Sequence, residues 1–187
     1  MSIRNAVAVS LLLTIAACAS APPGAEVIAP QAPLCAAGVS LGKIAVAPVT
    51  RWRADQKEPE VREAIAMKAI EAVAPGIFCA ASVKVLPLTT NAMAGDSLAA
   101  AKAEGAKTAL FIRVDEFGPI AILSFPALWS TWSDVKFTLD AVDVATGDVL
   151  RSIPHRRQKG GAFEARGLAP LQAEMEQSLK DVILGAK

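Results

Sequence analysis

The sequence contains no tyrosine, one histidine and three cysteines in 187 residues. A lone His155 has no second histidine with which to share a metal, so a paired-His metal centre is excluded. Nineteen Lys and Arg against 18 Asp and Glu leave a formal net charge of +1. That balance removes the whole-chain attraction on which non-specific nucleic-acid binding rests, and it argues against a nucleic-acid partner. A phosphate-cradling glycine loop with a Walker-type lysine is also missing, so nucleotide chemistry has no apparatus and no cofactor is expected. The hydrophobic share is 53%, yet 38 of those residues are alanine, which contributes little burial. What remains fits one ordinary domain of about 100 to 200 residues with a tail.

The tail is at the N-terminus. After Arg4, residues Ala6 to Ala17 form an uncharged run centred on Leu11, Leu12 and Leu13. As a helix it would rise about 18 Å, well short of the roughly 30 Å hydrocarbon core, and it reads as the apolar region of a signal peptide. The ending Ile15-Ala16-Ala17-Cys18 resembles the bacterial lipobox. That resemblance implies cleavage before Cys18 and a diacylglycerol on its thiol. With further acylation, the chains would anchor the protein stably, each buried CH₂ contributing about 0.8 kcal/mol. Ala19 stands where an Asp would signal inner-membrane retention, so the resemblance implies the periplasmic face of the outer membrane. Ser20 to Pro33 carries four prolines and one charge, a partly extended tether that spans at most roughly 40 Å. The expected organisation is a signal peptide at 1–17, lipidated Cys18 and tether through 34, and a periplasmic domain at 35–187.

Cys35 and Cys79 remain, in a compartment that favours disulfides. Each precedes a strand-like run, Lys43 to Thr50 and Ser82 to Leu88. If those strands are parallel neighbours, both thiols sit at one edge of the sheet and can be bridged; the alternative is two separately buried free thiols. Between them, Glu58 to Ala74 has a proline in its first turn, a Pro75-Gly76 stop, and Val61, Ile65, Ala69, Ile70 and Val73 at helical spacing. A second helix is expected over Ser97 to Glu104 behind Asp96, followed by a compact apolar strand, Thr108 to Val114. Asp134 to Ala145 alternates apolar and polar residues, and Thr146-Gly147-Asp148 turns it into Val149 to Ile153. From Pro170, Leu171, Met175, Leu179 and Val182 mark a last helix. The expected fold is α/β, a mixed sheet in β-α-β-α-β-β-β-α order.

Three segments carry a family resemblance: Lys43-Ile44-Ala45-Val46-Ala47-Pro48-Val49, the stretch Ala101 to Ile112 containing Glu104-Gly105-Ala106, and Leu139 to Leu150 containing Thr146-Gly147-Asp148. Together they resemble bacterial envelope lipoproteins of the LpoB-type activators, the CsgG-type secretion lipoproteins and the TolB N-terminal domain. The resemblance covers most of residues 40 to 155. Its motifs are structural devices, a helix end and a hairpin turn, so it implies a fold and an envelope setting more than an activity.

Four features carry potential chemistry. Gly38-Val39-Ser40-Leu41-Gly42 matches the G-x-S-x-G nucleophile elbow in letters, but that device needs a strand before it and a helix after it. Here it leads into an expected strand, so a non-catalytic protein is expected. Pairs of carboxylates such as Asp115 with Glu116, or Asp140 with Asp143, read as solvated strand ends. A basic segment holds Arg151, Arg156, Arg157, Lys159 and Arg166; it is either an anion-binding surface or a mobile, solvated loop, as Gly160-Gly161 suggests. Phe117 to Trp132 has no charge at all and contains Pro119 and Pro126. It is either a docking loop anchored by Trp129 and Trp132 or a segment folded into the core. The expected role is an accessory component docking onto an envelope protein partner. Its rival is a lipid or anionic-glycan binding module centred on Arg156, Arg157 and Lys159.

Overall fold

A computed structural model describes residues 31–52, 57–90, 94–123 and 129–185. Cys18, the signal peptide and most of the tether lie outside the described residues, as does the middle of the charge-free segment. The elements follow the expected order with one addition. They are β1 (Gly42–Thr50), α1 (Pro59–Val73) ending in a 3₁₀ turn, β2 (Ala80–Val85), a two-residue β3 (Thr89–Thr90), α2 (Ala94–Ala103), β4 (Thr108–Ile122), β5 (Ser130–Asp143), β6 (Val149–Ala162) and α3 (Leu171–Leu184).

Among the described residues these strands make one six-stranded sheet of order β2-β1-β4-β5-β6, with β3 also pairing β1. The neighbours of β1 are parallel to it, and β4, β5 and β6 form an antiparallel meander. Pro48 sits in β1 where β2 gives way to β3: β2 pairs as far as Val46, and β3 begins at Val49. A residue without an N–H is tolerated at such a break in the ladder.

The alternation of side chains assigns each sheet face its cover. On one face Ile44, Val46, Leu110, Ile112, Val114, Val135, Phe137, Leu139 and Ile153 meet α1 and α3 in the main core. Fully burying a side chain of this size contributes about 1.5–3 kcal/mol, which makes this layer the chief source of stability. On the other face Ala45, Ala47, Ala109, Phe111 and Val142 meet Ala101 and Leu98 of α2 in a smaller cluster. The alternation expected in β5 holds: Val135, Phe137, Leu139 and Ala141 are buried, while Lys136, Thr138 and Asp140 are half-buried.

One expectation for α1 fails. Val61 was placed on the packed stripe, but it is 46% exposed, and its neighbour Arg62 is 6% exposed. The cause is polar. Arg62 Nε donates to the Lys57 carbonyl at 2.9 Å, and Nη1 donates to the Phe117 carbonyl on β4. The helix start therefore turns a cation inward to satisfy buried backbone oxygens, and burial holds the guanidinium below its ordinary pKa.

Two further expectations concern β4 and β6. The charge-free segment is not a single loop: its ends are the continuation of β4 and the start of β5, paired from Phe117 with Val135 to Ile122 with Ser130. Pro119 is accommodated because β1 stops at Thr50, opposite Val114, leaving that edge of β4 without a ladder partner. The basic segment is not a mobile loop either. β6 runs to Ala162, and position 160 within it takes a glycine because φ is 144 and a Cβ there would stand 2.1 Å from the Thr131 carbonyl oxygen.

Cys35 and Cys79 are joined, with Cα atoms 5.3 Å apart across a separation of 44 residues. The preceding chain is fastened as well. Leu34 and Cys35 donate backbone hydrogen bonds of 2.8 Å to Val182 and Ile183 at the end of α3. Arg151 donates to the Ala32 and Pro33 carbonyls, the latter at 2.8 Å.

Two outcomes are expected. Replacing both Cys35 and Cys79 by Ser should lower the unfolding free energy by about 2–4 kcal/mol, read by urea denaturation of oxidised protein. At Gly118, an added Cβ would fall 1.3 Å from Arg62 Nη1. Gly118→Ala should therefore cost about 2–4 kcal/mol, and a double-mutant cycle with Arg62→Ala should show strong coupling between the two sites. Additive losses would contradict that contact.

Candidate functional site

Beyond Val114 the sheet narrows to β4, β5 and β6, a three-stranded arm that outruns its parallel neighbours. All five residues singled out as partner-binding lie on or next to this arm. Strand alternation then separates them. Arg157 and Lys159 fall on the face that carries Ile153 and His155, and Arg156 falls on the opposite face with Gln158. The three cations expected to make one basic surface do not share a face.

Arg156 is engaged within the fold. Its Nε and Nη2 grip the two oxygens of Asp134 at 3.1 and 2.6 Å, and Nη2 lies 3.4 Å from Glu116. Gln158 adds a third donor to Asp134 at 3.1 Å, and Asp134 is 1% exposed. Burial, followed by hydrogen bonding with the Asp134 carboxylate, raises the Glu116 carboxyl above its ordinary range. Glu116 thus works with Asp134 across the strands, not with its sequence neighbour Asp115. The arrangement neutralises a buried carboxylate, and a bidentate Arg–carboxylate pair is a structural clasp.

On the other face Arg157 lies 3.3 Å from Asp181 of α3. His155 packs on Phe137 with ring centroids 5.1 Å apart and planes tilted by 36°, and its Nε2 has no hydrogen-bond partner among the described residues. Burial pushes the His155 pKa down, while Asp181 partly opposes that shift. Arg166 bonds Glu174 of α3 at 2.8 Å and Glu164 at 3.1 Å, and its hydrogen bonds to the Thr131 and Ser133 hydroxyls tie the connection before α3 to β5 of the arm. Lys159 is exposed. Ser40, in the elbow-like motif, is exposed in the loop that leads into β1.

The two tryptophans also part. Trp132 is half-buried between Ile120 and Gly160, its register partners on either side. A glycine beside an aromatic is a recurrent way to seat the ring on a strand. Trp129 stands at the end of the arm, 44% exposed, edge-on to Phe163 with centroids 5.7 Å apart. Phe163 donates its backbone N–H to the Trp129 carbonyl at 3.0 Å and holds φ 61, a left-handed conformation rare for a bulky residue. Phe163 is 60% exposed, and Leu123, at the end of β4, is 83% exposed.

The candidate site is therefore the arm's end, Leu123, Trp129 and Phe163. The sequence pointed to Trp129. It missed Phe163, which lies outside the charge-free segment and is brought alongside only by the length of β6. Leu123 lay inside that segment without any mark of its own.

If Arg156 is a clasp, Arg156→Gln should destabilise the protein by about 3 kcal/mol or more, since it strands the buried Asp134 charge. Lys159→Gln should stay within about 0.5 kcal/mol. Denaturation midpoints of the two variants, measured side by side, check the assignment.

No family model and no curated protein matches this chain. Solved structures do. The PelC dodecamer from Paraburkholderia phytofirmans is 19% identical, with a TM-score of 0.45, over 77% of this chain and 89% of that one. A lipoprotein from Neisseria meningitidis is 17% identical, with a TM-score of 0.39, over 78% and 99% of the two chains. A protein from Xanthomonas campestris is 14% identical, with a TM-score of 0.38, over 82% and 83%.

Proposed function

We propose that this protein is a non-catalytic accessory lipoprotein of the bacterial envelope, anchored through Cys18 at the periplasmic face of the outer membrane and docking onto an envelope protein through the end of its arm. The observation that carries the reading is the apolar group of Leu123, Trp129 and Phe163, presented in the open. Large aromatics in such a position are the residues that most often anchor a protein partner.

The geometry favours a protein over the anchoring membrane as the target. The chain enters the domain at Pro33, beside Arg151, whereas the arm ends at Ala162 of the same strand. At strand rise that interval is roughly 36 Å, so the aromatic end lies at the far end of the strand from the point where the tether enters. No described helix is long and apolar enough to cross a membrane, and in this reading attachment is through the lipid on Cys18. A non-catalytic role is supported by Ser40, whose motif leads into a strand and not into the helix that a nucleophile elbow requires.

A photo-crosslinker placed at position 129 in cells should capture one envelope protein, whereas the same group at Phe78, 70% exposed near the disulfide, should not. Phe163→Ala with Leu123→Ser should weaken that capture at least tenfold without moving the thermal midpoint. Equal capture from both positions, or capture indifferent to the variants, would end the docking reading. An intact mass of the membrane-extracted protein without acyl groups would end the anchoring one.

A further inference from the structure

The second face of the sheet holds a groove that neither the arm nor the core explains. Its volume is about 320 Å³, and its walls include Leu98 of α2, Phe111 of β4, Val142 of β5 and Val149 of β6. Arg51 and Arg113 also line it, together with Asp140. Ligand sites of this kind are concave and mostly apolar, with a few convergent polar groups, and they begin at about 300 Å³.

Topology gives the position its meaning. From β1 the chain crosses through α1 on one face to reach β2, and then through α2 on the other face to reach β4. β1 and β4 are therefore the parallel neighbours at which the winding reverses, and ligands of open α/β sheets bind outside the carboxyl ends of such strands. Val49 pairs with Arg113, and Arg51 follows two residues later on the same face, its N–H bonded to the Val114 carbonyl at 3.0 Å. Arg51 thus follows the carboxyl end of β1, and Arg113 lies on β4 where its parallel pairing with β1 ends.

The charges favour an anion. Arg113 and Asp140 stand 3.5 Å apart and offset each other in part, and Asp140 also accepts from Ser152. Arg51 is exposed and adds a cation without a matching acid among the lining residues. A glycan would need many hydroxyl partners, and apart from these three charged side chains the lining is apolar or glycine. We propose that the groove binds a small organic anion with an apolar body, a carboxylate or phosphate monoester held by Arg51 and Arg113, its body lying on Leu98, Phe111, Val142 and Val149. This site lies apart from the arm's end, and its test is independent of docking.

Calorimetric titration of the full chain with octanoate, octyl phosphate, octanol and inorganic phosphate, each below micelle formation, tests the proposal. Both octyl anions should bind saturably, with octanol and inorganic phosphate at least tenfold weaker. The ratio of the two anions tells a fatty acid from a phosphate ester, and either order supports the site. Arg51→Gln should weaken both anions at least fivefold. Val149→Glu, at a position 60% exposed, should do the same by repulsion, with the thermal midpoint unchanged in each. Octanol binding as tightly as octanoate, anion binding unaltered in both variants, or no saturable binding of either octyl anion would overturn the assignment.

Discussion

Everything outboard of Val114 depends on how a three-stranded arm is held once its parallel neighbours have ended. The answer begins with Arg62, which reaches from the first turn of α1 to the Phe117 carbonyl and occupies the space that any side chain at position 118 would need. A cation at 6% exposure is costly to bury, and it is tolerated because backbone oxygens of two segments receive its protons. The Arg156–Asp134 clasp does the corresponding work on the opposite face, one strand farther out. The base of the arm is thus pinned by charge on both sides, beside the last core residues, Phe117 and Val135.

That division explains why a segment dense in arginine is not a basic surface. On β6 successive residues face opposite ways, so Arg156 and Arg157 are separated by the whole thickness of the sheet. One meets buried Asp134 and the other meets Asp181 of α3. Arg166 and Arg151 are engaged in turn by Glu174 and by carbonyls of the entering chain. Most of the positive charge of this region is thus engaged within the molecule, by acids and by backbone carbonyls, and Lys159 is left exposed. The cations left facing a cavity are instead Arg51 and Arg113, which no run of like charge announced.

Element order, the helix faces of α3 and the alternation of β5 were legible in the sequence because each is a local periodicity. The Cys35–Cys79 bridge was legible as one of two options, because each cysteine preceded a strand of the same parallel pair. The length of β6 was not legible. Pro154 and Gly160-Gly161 are breaker signals, and an outer strand absorbs them because one of its edges has no ladder to interrupt. Val61 was misplaced for a related reason. Helical spacing selects apolar residues for the buried stripe, whereas the requirement here came from the Phe117 carbonyl, 55 residues away in sequence. The same non-locality hid Phe163 from the aromatic group that it completes.

The two candidate sites follow from one asymmetry in the sheet. Where β1 and β4 are parallel and the crossings change face, a groove opens beside α2 at the end of their pairing. Where strands are antiparallel and outlast their neighbours, they project, and among the described residues their end carries exposed apolar side chains. Because β4 belongs to both halves, Arg113 in the crevice and Leu123 at the arm's end lie ten residues apart on or just beyond one strand, roughly 33 Å at strand rise. The clasps at Arg62 and Arg156 fall in the interval between them.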